Sequence, residues 1–205
     1  RDVTILALTA ATPHRDEVLE AATRGDHAAA AELLREHPRF RHFLTEENIR
    51  LLFKSAPLHD IGKVAIPDAI LHKPGKLDEQ EWAIMQKHVD YGVSILQRSK
   101  RDLMRMGAVI AGNHHERWDG AGYPQGLAGE NIPLAGRIVA LADVFDALGS
   151  RRSYKEPWPD DRIRELIASE RGRQFDPQLV DLLLAHYESF RVIRERFPDE
   201  PGGEH

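Results

Sequence analysis

The stretch GRIVALADVFDAL, residues 136–148, decides the fold. Apolar side chains cover nearly every side of a 3.6-residue helix here, so the segment reads as a central helix buried all round. Asp143 and Asp146 interrupt it. An unpaired carboxylate in such a place costs about several kcal/mol. A structural salt bridge to Arg137 or Arg151 is one remedy, because buried charges are normally paired. A cation shared with imidazoles is the other.

Working outward, the period stays helical and no strand-like alternation is found. Helices are predicted at 2–11, 15–36, 46–59, 78–98, 101–115, 133–149, 160–170 and 177–196. Thr45, Asp78 and Asp176 stand where N-caps belong. Breakers fall at 66–77, 119–133 and 155–160, where proline and glycine gather. The fold expected is all-α, a compact multi-helix bundle with a metal site in its core.

Composition narrows the chemistry. The chain has 205 residues, 41% hydrophobic and 30% charged, with a net charge of −5. An acidic balance gives no basic face for duplex nucleic acid. There is no cysteine, which excludes disulfides, iron–sulfur clusters and thiolate zinc sites. Any metal must be held by His, Asp or Glu. No apolar run approaches the roughly 20 residues of a membrane span, and RDVTILALTAA does not read as a signal peptide. The expectation is a cytoplasmic protein, cut from a longer chain because it begins at Arg1, with a disordered tail at 198–205.

Three predicted helices carry an apolar stripe that runs into histidine. Ile49, Leu52, Phe53 and Ala56 lead to His59 and Asp60. Trp82, Met85, Val89, Gly92 and Leu96 share a face that His88 borders, and Leu103, Met106, Gly107, Ile110 and Ala111 lead to His114. One such histidine is a satisfied core residue. Three, with two acids, are a ligand set. His59, Asp60, His88, His114, His115 and Asp143 offer four nitrogens and two carboxylates, too many for one tetrahedral ion and suited to iron, manganese or zinc. The loop after the histidine pair, in HHERWDGAGYP (114–124), leaves room for a substrate.

LHDIGKVAIPDAILHKPGKL (58–77), the run from His114 through Leu148, SRRSYK (150–155) and FDP (175–177) together closely resemble the HD-GYP family, a branch of the HD-domain phosphohydrolases. The resemblance covers roughly 40–190 and implies hydrolysis of the bacterial second messenger cyclic di-GMP to pGpG and on to GMP. It implies two divalent ions, iron or manganese first, with zinc, nickel or magnesium as the other candidates. It assigns the metal to His59, Asp60, His88, His114, His115 and Asp143, with Asp60 bridging and catalytic. Lys63 would stand beside the scissile phosphate. Arg152 and Lys155 would hold substrate phosphates, and Gly122, Tyr123 and Pro124 would line substrate access. RDVTILAL resembles the connector after a receiver domain in a response regulator. The boundaries implied are a connector with atypical first helices at 1–40 and the HD-GYP domain at 41–197. A GGDEF-domain partner and a homodimer through the N-terminal helix are further expectations.

The resemblance breaks upstream. Family members often carry a Glu and a His four residues apart before the counterpart of LREHPRF, but here Ala21 follows Glu17 and Arg24 follows Glu20 at that spacing. His14, Glu17, Glu20 and His27 are candidate substitutes, and each also reads as part of a solvated helix face. A third ion therefore lacks the family's usual Glu/His pair. The alternative function is a degenerate domain that binds cyclic di-GMP or a GGDEF-type partner without turnover.

Overall fold

The computed structural model describes residues 43, 45–149 and 156–196. The helices predicted at 2–11 and 15–36, the substitutes His14, Glu17, Glu20 and His27, and the tail lie outside them, as do Arg152 and Lys155. Among the described residues all regular structure is helical, with two isolated β-bridges and no strand. These residues form α1 (Glu46–Ser55), α2 (Asp68–Leu71), α3 (Glu79–Gln86), α4 (His88–Leu96), α5 (Asp102–Ala111), α6 (Leu134–Gly149), α7 (Asp160–Ser169), α8 (Pro177–Ala185) and α9 (Tyr187–Arg196). The chain divides into two compact units: Lys54–Ala140, and Arg1–Phe53 together with Leu141–His205.

In the first unit α4 is the hub. It packs on the 3₁₀ turn Ile61–Ala65 and on α5. Glycine makes the first contact. A Cβ on Gly62 would lie 1.9 Å from the His88 carbonyl oxygen and 2.4 Å from the Gly92 nitrogen, so the two backbones touch. Val89, Leu96, Ile110 and Ala111 close the core beneath. Asp78 caps α3 through a reciprocal box: its side chain accepts from Glu81 N–H while the Glu81 carboxylate accepts from Asp78 N–H, both at 2.9 Å.

In the second unit the lower half of α6 supplies Leu141, Phe145 and Leu148 to a core with Ile163, Ile167, Leu179, Leu183, Tyr187 and Phe190. Phe145 meets Tyr187 and Phe190 edge-on at 5.6 and 6.2 Å, the arrangement that ring quadrupoles prefer. Tyr187 donates its hydroxyl to Asp160 at 2.8 Å, and Arg194 reaches the same oxygen at 2.9 Å.

Several boundaries differ from expectation. The helix predicted at 46–59 ends at Ser55, because Pro57 has no N–H to continue it and the chain tightens into a 3₁₀ turn at Ala56–Leu58. The one predicted at 78–98 divides at Lys87, whose N–H bonds Ile84 O, while the Met85 carbonyl accepts from the His88 ring. The stripe therefore does not run through. Val89, Gly92 and Leu96 are buried, but Trp82 is 47% exposed. The helix predicted at 101–115 ends at Ala111, leaving His114 and His115 on the turns that follow. That predicted at 177–196 divides at His186, and the expected loop 66–77 contains α2.

Candidate metal centre

Each histidine on the edge of the first unit's core is fixed by the turn before it. His59 Nδ1 lies 2.8 Å from Ala56 O, and His88 Nδ1 lies 2.7 Å from Met85 O. His114 Nδ1 lies 3.0 Å from Ala111 O and 3.3 Å from Ile110 O. A carbonyl oxygen only accepts, so Nδ1 carries the proton in all three rings. In the neutral rings of His88 and His114 this leaves Nε2 as a bare lone pair, which is how a protein presents imidazole to a metal, whereas His59 hydrogen-bonds Asp60.

All three Nε2 atoms face Asp60. His59 Nε2 is 3.3 Å from Asp60 Oδ2, and His88 and His114 Nε2 are 3.5 and 3.8 Å from Asp60 Oδ1. His88 and His114 Nε2 are buried without a hydrogen bond. His115 brings its ring to 3.9 Å from His114 and 5.1 Å from His88. One donor atom each from Asp60, His88, His114 and His115 lies within 4.8 Å of the others. Two ligands on one ion, with bonds of about 2.0–2.2 Å, stand at most about 4.4 Å apart. At 4.8 Å the widest spread of the group is within about half an ångström of that limit. The lone pairs of His88 and His114 aimed at the Asp60 carboxylate repel it, and a shared divalent cation turns that repulsion into coordination. The donor set fits such an ion.

The electrostatics prepare the rings for it. Burial holds the pKa of His114 well below the usual imidazole value, with the charge of His115 adding to it. Burial likewise lowers His88. His115 is lowered to about 4, first by burial and then by the charge of His88. Burial alone would raise Asp60, but the hydrogen bond and charge of His59, joined by Lys63, outweigh it and keep the carboxyl ionised far below its ordinary range. Neutral imidazoles around a carboxylate need no proton loss to bind metal at neutral pH.

A pH dependence follows. In the unfolded chain these histidines protonate near 6.5, whereas folded His115 resists until about 4. The unfolded state therefore binds more protons between those values, and stability present above pH 6.5 is lost as pH falls towards 4. Metal-free protein should lose several degrees of Tm between pH 7 and 4.5, given about 2–4 °C per kcal/mol in a chain of this size. Added Mn²⁺ should raise Tm more at pH 7 than at pH 5. A Tm flat across this range would contradict the buried neutral cluster.

Beyond the histidines the loop folds back on the site. Glu116 is 3% exposed, and its two carboxylate oxygens accept from Gln125 N–H at 2.8 Å and Leu127 N–H at 3.0 Å. Two charge-assisted bonds thus staple the loop to the residue after His115. Gly122 allows the tuck, since a Cβ there would fall 2.4 Å from Arg117 N. Tyr123 N–H donates to His115 O at 3.2 Å, and the Tyr123 ring stacks on the His115 ring at 4.7 Å and 23°. The Tyr123–Pro124 bond is cis. Glu116 was not singled out from sequence. Its place between an imidazole pair and a glycine-rich loop was the available signal.

Of the other expected residues, Lys63 donates to Asp60 Oδ2 at 2.7 Å. His59 stands beside the four-donor group without belonging to it. Asp143 is half-buried on the part of α6 that belongs to the second unit. Gly122 and Tyr123 are half-buried and Pro124 is exposed.

A carboxylate gathered with three imidazoles makes this a candidate metal-binding domain. Residues 18–179 match the HD domain family, and the chain belongs to it, within the HD-GYP branch whose motifs it carries. It is 56% identical over 183 residues to a "3'3'-cGAMP-specific phosphodiesterase 2" of Vibrio cholerae, across 88% of this chain and 35% of that protein. It is 44% identical to a "Cyclic di-GMP phosphodiesterase" of the same organism, across 97% of this chain and 42% of the relative. It is 54% identical to the "Cyclic di-GMP phosphodiesterase response regulator RpfG" of Xanthomonas campestris, across 69% and 37%. The chain spans less than half the length of each of these relatives. No helix among the described residues is long and apolar enough to cross a membrane.

Proposed function

We propose that this chain is the catalytic part of a metal-dependent phosphodiesterase that opens a cyclic dinucleotide, taking cyclic di-GMP to pGpG or GMP. The observation that carries the reading is the convergence of three Nε2 atoms on Asp60, with the Nδ1 of each ring tied to a backbone carbonyl. His59, Asp60, His88, His114 and His115 would hold two divalent ions, iron or manganese. Asp143 joins them on its sequence motif alone. Ions held there would lower the pKa of water towards about 7 and neutralise charge on the phosphoryl oxygens.

The residues themselves do the positioning. Nδ1–H bonds to carbonyls stop the rings from turning. Ionised Asp60 anchors the Lys63 ammonium, which then faces the phosphodiester as a point charge and stabilises negative charge as it develops. Tyr123 closes one face of His115 and keeps bulk water off that ring. Arg152 and Lys155 are proposed for the substrate phosphates. A cytoplasmic setting, an upstream receiver domain and a GGDEF-type partner complete the proposal, as do a homodimer through the N-terminal helix and the boundaries 1–40, 41–197 and 198–205.

The test is incubation of purified protein with cyclic di-GMP and Mn²⁺ or Fe²⁺, with chromatography for pGpG and GMP. Formation of either supports the reading. Binding without either product favours the non-catalytic sensor. The 56% identity to a protein named for 3'3'-cGAMP supports a second substrate, so that dinucleotide belongs in the same assay.

A further inference from the structure

The geometry points to Trp82 as a stacking platform for a purine base of the bound dinucleotide, an inference that rests on the substrate class proposed above. Trp82 is a large aromatic residue that the first unit's core does not use. It is 47% exposed, while Val89 and Leu96, its partners in the helical pattern, are 1% and 4% exposed. The break between α3 and α4 at Lys87 sets it outside, and the Asp78–Glu81 capping box fixes the phase of the short helix that carries it.

Its surroundings connect it to the metal centre. The Trp82 ring meets Tyr123 at 6.2 Å and 80°, and Tyr123 in turn stacks on His115 at 4.7 Å and 23°. Three rings thus step outward from the donor group. The Trp82–Tyr123 contact is an edge contact, which holds the indole without sandwiching it. A substrate whose phosphate sits among the imidazoles must lay its base along one side of that group. An exposed indole next to the loop's own aromatic offers the π surface that every purine can use. Glu116, gripping the loop at Gln125 and Leu127, keeps Tyr123 and hence the edge of the platform in place.

The experiment is equilibrium titration of the metal-loaded protein and its variants with a phosphorothioate analogue of cyclic di-GMP that resists hydrolysis. Calorimetry and tryptophan fluorescence provide the readouts. Base–aromatic stacking has a worth that alanine substitution reads as about 5- to 150-fold in affinity. Trp82→Ala should therefore weaken Kd by that factor at an unchanged metal-to-protein ratio. Trp82→Phe should stay within about threefold of the wild type, because a benzene ring still stacks. Ligand-induced quenching of fluorescence should disappear in Trp82→Phe although Trp118 and Trp158 remain. If the wild type binds the analogue and Trp82→Ala binds equally well, the platform is overturned and the substrate class stands. If the wild type neither binds the analogue nor hydrolyses cyclic di-GMP, both fall.

Discussion

Gly62→Ala should cost about 3 kcal/mol or more of stability and cut metal content to less than half. The added Cβ would sit 1.9 Å from the His88 carbonyl oxygen and 2.4 Å from the Gly92 nitrogen. Both are backbone atoms of α4, and neither has a rotamer to escape into. Overpacking a tight contact costs about 1–3 kcal/mol when side chains yield, and here the helix itself must move. Because Asp60 precedes the turn and His88 opens α4, any separation pulls the carboxylate away from the Nε2 atoms it faces. Gly75→Ala is the control. It meets nothing within 4 Å and pays only for its φ of 124°, a strain on the order of 1–3 kcal/mol without effect on the centre. Thermal melts and elemental analysis check both variants. Wild-type metal content in a stable Gly62→Ala protein would show that the close approach is dispensable.

The second large effect is at Asp60. Its carboxylate is the one group that all three fixed imidazoles and Lys63 share. Asp60→Asn keeps the shape but replaces a charged oxygen with an amide. Loss of an outer-shell partner typically costs 10–100-fold in metal affinity, so a direct ligand should cost more than about 100-fold, and turnover should vanish with the metal. Circular dichroism separates this from unfolding. A folded Asp60→Asn protein that kept both its ions and its activity would remove the carboxylate from the centre. Lys63→Met gives the contrast, since it should retain metal while slowing hydrolysis.

The two sites differ in how visible they were beforehand. Asp60 was legible because a carboxylate beside histidine at the end of an apolar stripe is costly without a partner. Gly62 carried no such mark. Its requirement arises from α4, some thirty residues further on, and only a packed backbone reveals it. The same holds for Trp82, which the helical period assigned to a buried face. The period continued through Lys87, but the helix did not.

Sequence by itself determined that the described residues are helical, where caps at Thr45, Asp78 and Asp176 begin three of the helices, and which imidazoles and acids were candidate metal ligands. Those are local properties, set within about four residues by backbone hydrogen bonding and by the cost of burying charge. Tertiary structure decided which ring nitrogen carries the proton, that Glu116 grips the loop, that Tyr123 covers His115, and that Trp82 stays in solvent. Each of these depends on where helix ends and loop backbone come to rest against each other, and no periodicity along the chain encodes such a meeting.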